Sequence, residues 1–359
     1  MNRMNPSRID PHAGRARGVS LIELMVALVL GLIVTGSALT LVMTQRQTFT
    51  ATEDLGQVQQ GVRLAFELLS RELRNAGSNP CDNGLDIRNG LNDPTAFWWA
   101  NWSDLATPRA PGLVGYGGGT AFPDAAFGVG TTDRVAGRDA IEVKAAVPVS
   151  ADVALLIADL GTPIELTAPL EVSSTVGVEL GDLLMICNFN NASIFRVTSV
   201  DADSIGHSSV GTDPSGNASD EMPRADENGY ANFNVGSVIA KVHAARWYIG
   251  NNGEDTDNDG AADGRSLYRA MLVNNGGTLG VDIDEVARGI TDMQVEYLVR
   301  GQSNYVDAAA IDFIDADRAD PVIGVRIHLT LSGDDRIGPN GERIVRVMTH
   351  TVAIRGAAE

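Results

Sequence analysis

The chain has 359 residues, 44% hydrophobic and 20% charged, a globular composition with room for one large domain or two ordinary ones. Its formal charge is -19, and the first 18 residues hold four arginines and one aspartate, so the acidity lies in the rest. Such an acidic body excludes a broad nucleic-acid footprint, which needs clustered Lys and Arg.

Arg3, Arg8, Arg15 and Arg17 make residues 1–18 a short basic leader. Residues 19–43, VSLIELMVALVLGLIVTGSALTLVM, then form a 25-residue apolar run with one charge, Glu23. A helix of about 20 apolar residues spans a bilayer, so this segment is expected to cross a membrane. The denser basic flank lies on the amino side, which keeps that end cytoplasmic and exports the bulk of the chain. A cleaved secretory signal has a shorter apolar region and a small-residue cleavage site. Here the run is longer and continues directly into another helix. A carboxylate within hydrocarbon is costly unless paired, which marks Glu23 as functional; at the headgroup boundary it is merely solvated.

Over residues 44–77 the pattern becomes amphipathic. Leu55, Val58, Val62, Phe66, Leu69 and Leu73 recur at spacings of three and four, an apolar helical stripe. Arg63, Glu67, Arg71, Glu72 and Arg74 are assigned to the polar side. Gly77 is the expected stop, with Pro80 beyond it.

The string Gly18-Val19-Ser20-Leu21-Ile22-Glu23-Leu24 resembles the prepilin peptidase site of type IV pilins and type II secretion pseudopilins. In those families a basic leader ends in Gly, and Glu stands fifth in the mature chain. The resemblance implies cleavage after Gly18 and N-methylation of Val19, which replaces the usual Phe. It also implies that Glu23 neutralises the terminal amine of a neighbouring subunit during assembly.

From residue 78 to 359 the helical period gives way to short β-rich runs between Gly, Asp, Asn and Pro. Strands are expected at 140–147, 183–187, 194–200, 238–249, 266–273, 293–299, 322–331 and 344–354, the last two as a hairpin. Val325, Ile327, Leu329 and Leu331 alternate with polar residues, the mark of a half-buried antiparallel strand. The expected fold is α+β, a long amino-terminal helix packed on an antiparallel β-sheet domain.

Cys81 and Cys187 belong to no CxxC pair, which argues against a zinc or thioredoxin-type motif. In an oxidising compartment they pair across a long loop; otherwise they are two buried thiols. Asp255, Asp257, Asp259 and Asp263 occupy positions one, three, five and nine of an EF-hand-like loop with Gly260 at six, but Ser266 stands where the bidentate Glu belongs. This segment reads either as a calcium site or as an acidic hairpin turn. No other cofactor is implied. Phe97, Trp98, Trp99 and Trp102 are either an exposed sticky patch or core beneath a long loop.

The stretches 181–187, 194–198, 266–269 and 286–297 resemble PilW-type minor pilins, relatives of the pseudopilin J class. That resemblance implies other minor and major pilins, prepilin peptidase and an inner-membrane assembly platform as partners. It also implies a single-pass inner-membrane protein with a periplasmic body that passes into a pilus. No Walker A loop, HExxH or GxSxG string occurs, so no enzymatic chemistry is expected. Two other readings stand beside a minor pilin: a type II secretion pseudopilin, and an uncleaved membrane-anchored adhesin.

Overall fold

The computed structural model describes residues 18–81, 85, 87–102, 112–149, 155–156, 164–166, 177–201, 204–223, 233, 237–256, 259–260, 262–313, 322–333, 343 and 345–355. Two compact units divide the chain, Met1–Glu53 and Asp54–Glu359. The first contains the start of helix α1 (Leu21–Arg74); the second holds its end and all of the β-structure.

Within the second unit, the helix stripe enters the core as its spacing dictates. Val62, Phe66, Leu69 and Leu73 are buried, with Ala65 between them; the side chains of Leu55 and Val58 lie outside the described residues. Gly77 ends the helix with φ +71°, a conformation that favours glycine, and its N–H donates to the Lys144 carbonyl at 2.8 Å. A Cβ on Gly112 would collide with the Gly77 backbone, so the chain can cross the helix end there only as glycine.

Sixteen strands follow among the described residues: β1 (Ile87–Asn89), β2 (Leu113–Tyr116), β3 (Ala140–Pro148), β4 (Leu155–Leu156), β5 (Ile164–Leu166), β6 (Leu183–Cys187), β7 (Ala192–Arg196) and β8 (Ser199–Val200). The carboxyl half adds β9 (Ser204–Gly206), β10 (Val238–Asn251), β11 (Arg265–Asn275), β12 (Thr278–Arg288), β13 (Ile290–Val299), β14 (Val306–Asp307), β15 (Val322–Ser332) and β16 (Val345–Ala353). The main sheet runs β1-β7-β6-β10-β11-β12, with β3 on the other edge of β10 and β2 beside β3. A second sheet runs β14-β13-β15-β16, and a small third sheet β4-β5-β9-β8. All pairings are antiparallel except the parallel β1–β7. The architecture is therefore the expected α+β layout, a long helix followed by a mostly antiparallel β domain.

Strand β10 organises the interior by its period of two. Trp247 and Ile249 join the helix residues, Leu267, Tyr297, Ile327 and Leu329 in one core. Ala240, Val242 and Ala244 enter a second core with Trp99, Trp102, Met185 and Cys187. Trp99 and Trp102 are thus core beneath the 91–102 segment, with Phe97 and Trp98 packed partly buried against them. Cys81 and Cys187 are joined in a disulfide, Cα atoms 6.1 Å apart, which ties the chain just past the helix to β6.

Three sequence expectations need correcting. The one strand expected at 194–200 is two, β7 ending at Arg196 in the main sheet and β8 starting at Ser199 in the third. Glu72 is buried rather than on the polar side, because it meets cations of the main sheet there. Strand β12 was not foreseen, because most of it is exposed and it shows no one-sided alternation.

Candidate functional site

The helix begins where Leu24 N–H donates to the Ser20 carbonyl at 3.1 Å. Glu23 lies in its first turn, where the unpaired N–H groups and the peptide dipoles favour a carboxylate. Ser20 and Glu23 also stand at the Ser-x-x-Glu spacing of a capping box, a signal the sequence reading passed over. Gly18 and Val19 precede the helix in exposed, non-helical backbone, and a Cβ at Gly18 would meet nothing. Residues 1–17 lie outside the described residues.

Leu21–Arg46 is a 26-residue stretch long and apolar enough to cross a membrane, and none of it is buried by the protein itself. Leu21, Ile22, Leu32 and Val34 are among the many large apolar side chains exposed along it. Such a surface is unfavourable in water and is satisfied by lipid or by other apolar helices.

The hydroxyls in this segment are satisfied within the helix. Thr35 donates to the Gly31 carbonyl at 2.6 Å, Ser37 to Ile33 at 2.8 Å and Thr40 to Gly36 at 2.8 Å. Thr44, Thr48 and Thr52 continue the pattern at 2.9, 2.9 and 2.7 Å, each bonding the carbonyl four residues back. No hydroxyl among these six presents an unmet donor to an apolar surrounding, where it would be costly.

Residues 14–39 match the family model for the prokaryotic N-terminal methylation motif. This is a prepilin-type motif. It coincides with the start of the exposed apolar helix, and it points to a type IV pilin- or pseudopilin-like protein anchored through its amino terminus. The motif family is structural rather than catalytic, and its members act with pilins and pilus-assembly machinery. No curated protein and no solved structure matches the chain.

The body holds two buried ionic clusters that periodicity could not show. Glu72 receives Trp247 Nε1–H at 2.5 Å, lies 3.3 Å from His243 Nε2 and pairs with the Arg269 guanidinium. Burial works against its charge, but His243, Arg269 and Trp247 together hold its pKa below the usual 4.5. Glu142 binds Lys144 Nζ and Arg246 Nε, both at 2.8 Å. Burial again opposes the charge, and the two cations hold the carboxyl below its usual range. Arg246 also reaches Asp124 at 2.7 Å and lies between the rings of Trp98 and Phe122, at 4.3 and 4.4 Å. These clusters fasten the end of the helix, and Trp98 and Asp124, to the main sheet.

The acidic segment between β10 and β11 forms their connection. Asp255 accepts from Gly260 N–H at 2.8 Å, and Asp263 accepts from Thr256 N–H and Oγ1–H at 2.7 and 2.6 Å. Asp257 lies outside the described residues. Among the described residues no group of three or more His, Cys, Asp or Glu converges as a metal set.

Proposed function

We propose that this protein is a minor pilin of the PilW type, a subunit that prepilin peptidase trims after Gly18 and that enters a type IV pilus through its amino-terminal helix. The observation carrying this reading is the methylation motif at residues 14–39 on a helix whose apolar surface is exposed among the described residues. Val19 becomes the methylated amino terminus. Glu23, in the first turn of the helix, meets the freed amine of a neighbouring subunit and offsets both charges in the apolar filament core. The protein sits first in the inner membrane with its body in the periplasm, then in the fibre beside other minor and major pilins, delivered by the assembly platform. Pilus initiation is its role, with twitching and adhesion as consequences.

Replacing Glu23 by Ala, or deleting the gene, removes surface pili and twitching in this account. Normal piliation in both strains refutes it. The same motif also serves type II secretion pseudopilins, so secretion of exoproteins is scored in the same strains; lost secretion with intact pili assigns the protein to that machine instead. An uncleaved membrane-anchored adhesin is the reading that an intact leader would support. Calcium at the 255–263 turn is a subsidiary part of the proposal. Calorimetry with Ca²⁺ on the full chain in detergent tests it, and no binding heat and no shift in melting temperature end it.

A further inference from the structure

Among the sheet edges of the described residues, two are of opposite charge. Strand β12 ends the main sheet, pairing among the described residues only with β11, and β16 ends the second sheet, pairing only with β15. An unpaired edge offers a row of N–H and C=O groups to any incoming strand. Folded proteins usually blunt such edges with charge or cover them. Here each edge carries charge but also exposes β-branched residues at alternate positions: Val345 and Val347 on β16 at 58% and 62%, Val281 and Ile283 on β12 at 40% and 43%.

The residues between them have complementary charge. Arg346 lies between the two β16 valines, and Asp282 and Asp284 flank Ile283 on β12; all three are exposed. Among the described residues no ion pair engages any of them. Beside β16 lies a groove of about 420 Å³, bordered by Arg63, Arg74 and Glu67 of the helix and by Met348 and His350 of the strand. Two arginines against one glutamate make it locally positive on a chain of net charge -19.

We propose that β16 of one molecule pairs edge to edge with β12 of a second copy. Aligned strands bring Val345 and Val347 over Val281 and Ile283 on one face, and Arg346 against Asp282 and Asp284 on the other. Cross-strand pairs of both kinds stabilise sheets. Like-with-like pairing is disfavoured, because β12 on β12 sets carboxylates against carboxylates and β16 on β16 sets Arg346 against itself. The contact is therefore heterologous, joining unlike surfaces head to tail; such an interface closes into a ring or runs on as an open filament according to the rotation between copies. It does not depend on leader removal or on Glu23.

The test uses the full chain in detergent with p-benzoylphenylalanine in place of Val347, mixed with an isotope-labelled copy and irradiated. The expected cross-link joins position 347 to residues 278–288 of the labelled copy. Arg346→Glu on the unlabelled copy lowers its yield by about tenfold or more. Asp282→Arg with Asp284→Arg on the labelled copy restores it, which separates lost pairing from lost folding. Absence of the cross-link, a cross-link to another segment including β16 itself, or a yield indifferent to charge reversal overturns the pairing.

Discussion

Glu72 shows how much a single buried carboxylate can fix. Its oxygens hold Trp247, His243 and Arg269, all from the main sheet, so it pins the last full turn of the helix in place. Glu72→Ala leaves Trp247 Nε1–H and the partly exposed Arg269 and His243 without their shared acceptor and is expected to cost about 1–3 kcal/mol, measured by thermal or chemical denaturation of the full chain in detergent. The pH dependence has a definite sign. Glu72 and Glu142 both have folded-state pKa values below 4.5, so their contribution is fully present above about pH 4.5 and is lost as pH falls through the depressed values. In Glu72→Gln that acid limb is shallower; an unchanged acid limb contradicts the assignment. Neither role was legible in the sequence. Spacing set Glu72 beside Arg71 and Arg74 on a polar face, and only the register of β10 and β11 brings His243, Trp247 and Arg269 to it.

Helix α1 was legible because its signals are local: an apolar run, then a stripe at three and four, then a glycine stop. Strand β15 was legible for the same reason, its alternation being one-sided. Strand β2 was not, because Leu113–Tyr116 runs into glycines that read as a loop. Gly115, within the strand, answers to packing: a Cβ there would strike the Tyr297 hydroxyl and the Phe313 ring, whereas one on Gly117 or Gly119 would meet nothing. Gly115→Ala is therefore expected to cost about 1–3 kcal/mol through overpacking, read from the denaturation midpoint. Strand β12 lay hidden for a different reason, since an edge that faces solvent on both sides has no buried period to reveal it. The link between Cys81 and Cys187 acts at this scale too. It spans 106 positions, so in the chain-entropy account its reduction costs about 4–5 kcal/mol. Denaturation with and without a thiol reductant should show a loss of that order; equal midpoints contradict it.

At the scale of the molecule, the chain pairs a prepilin-type methylation motif and an exposed apolar helix with a mostly antiparallel β-rich body. The motif itself was legible in full, because cleavage and methylation are read from linear sequence by an enzyme rather than assembled by folding. The proposed pairing of β16 with β12 was not, because it depends on which strands the fold leaves at its edges. The account stands most directly on the amino terminus of the protein in cell membranes. Mass spectrometry of the intact protein and its amino-terminal peptide is predicted to find N-methylated Val19 as the first residue; a first eighteen residues still attached, with Val19 unmodified, contradicts it.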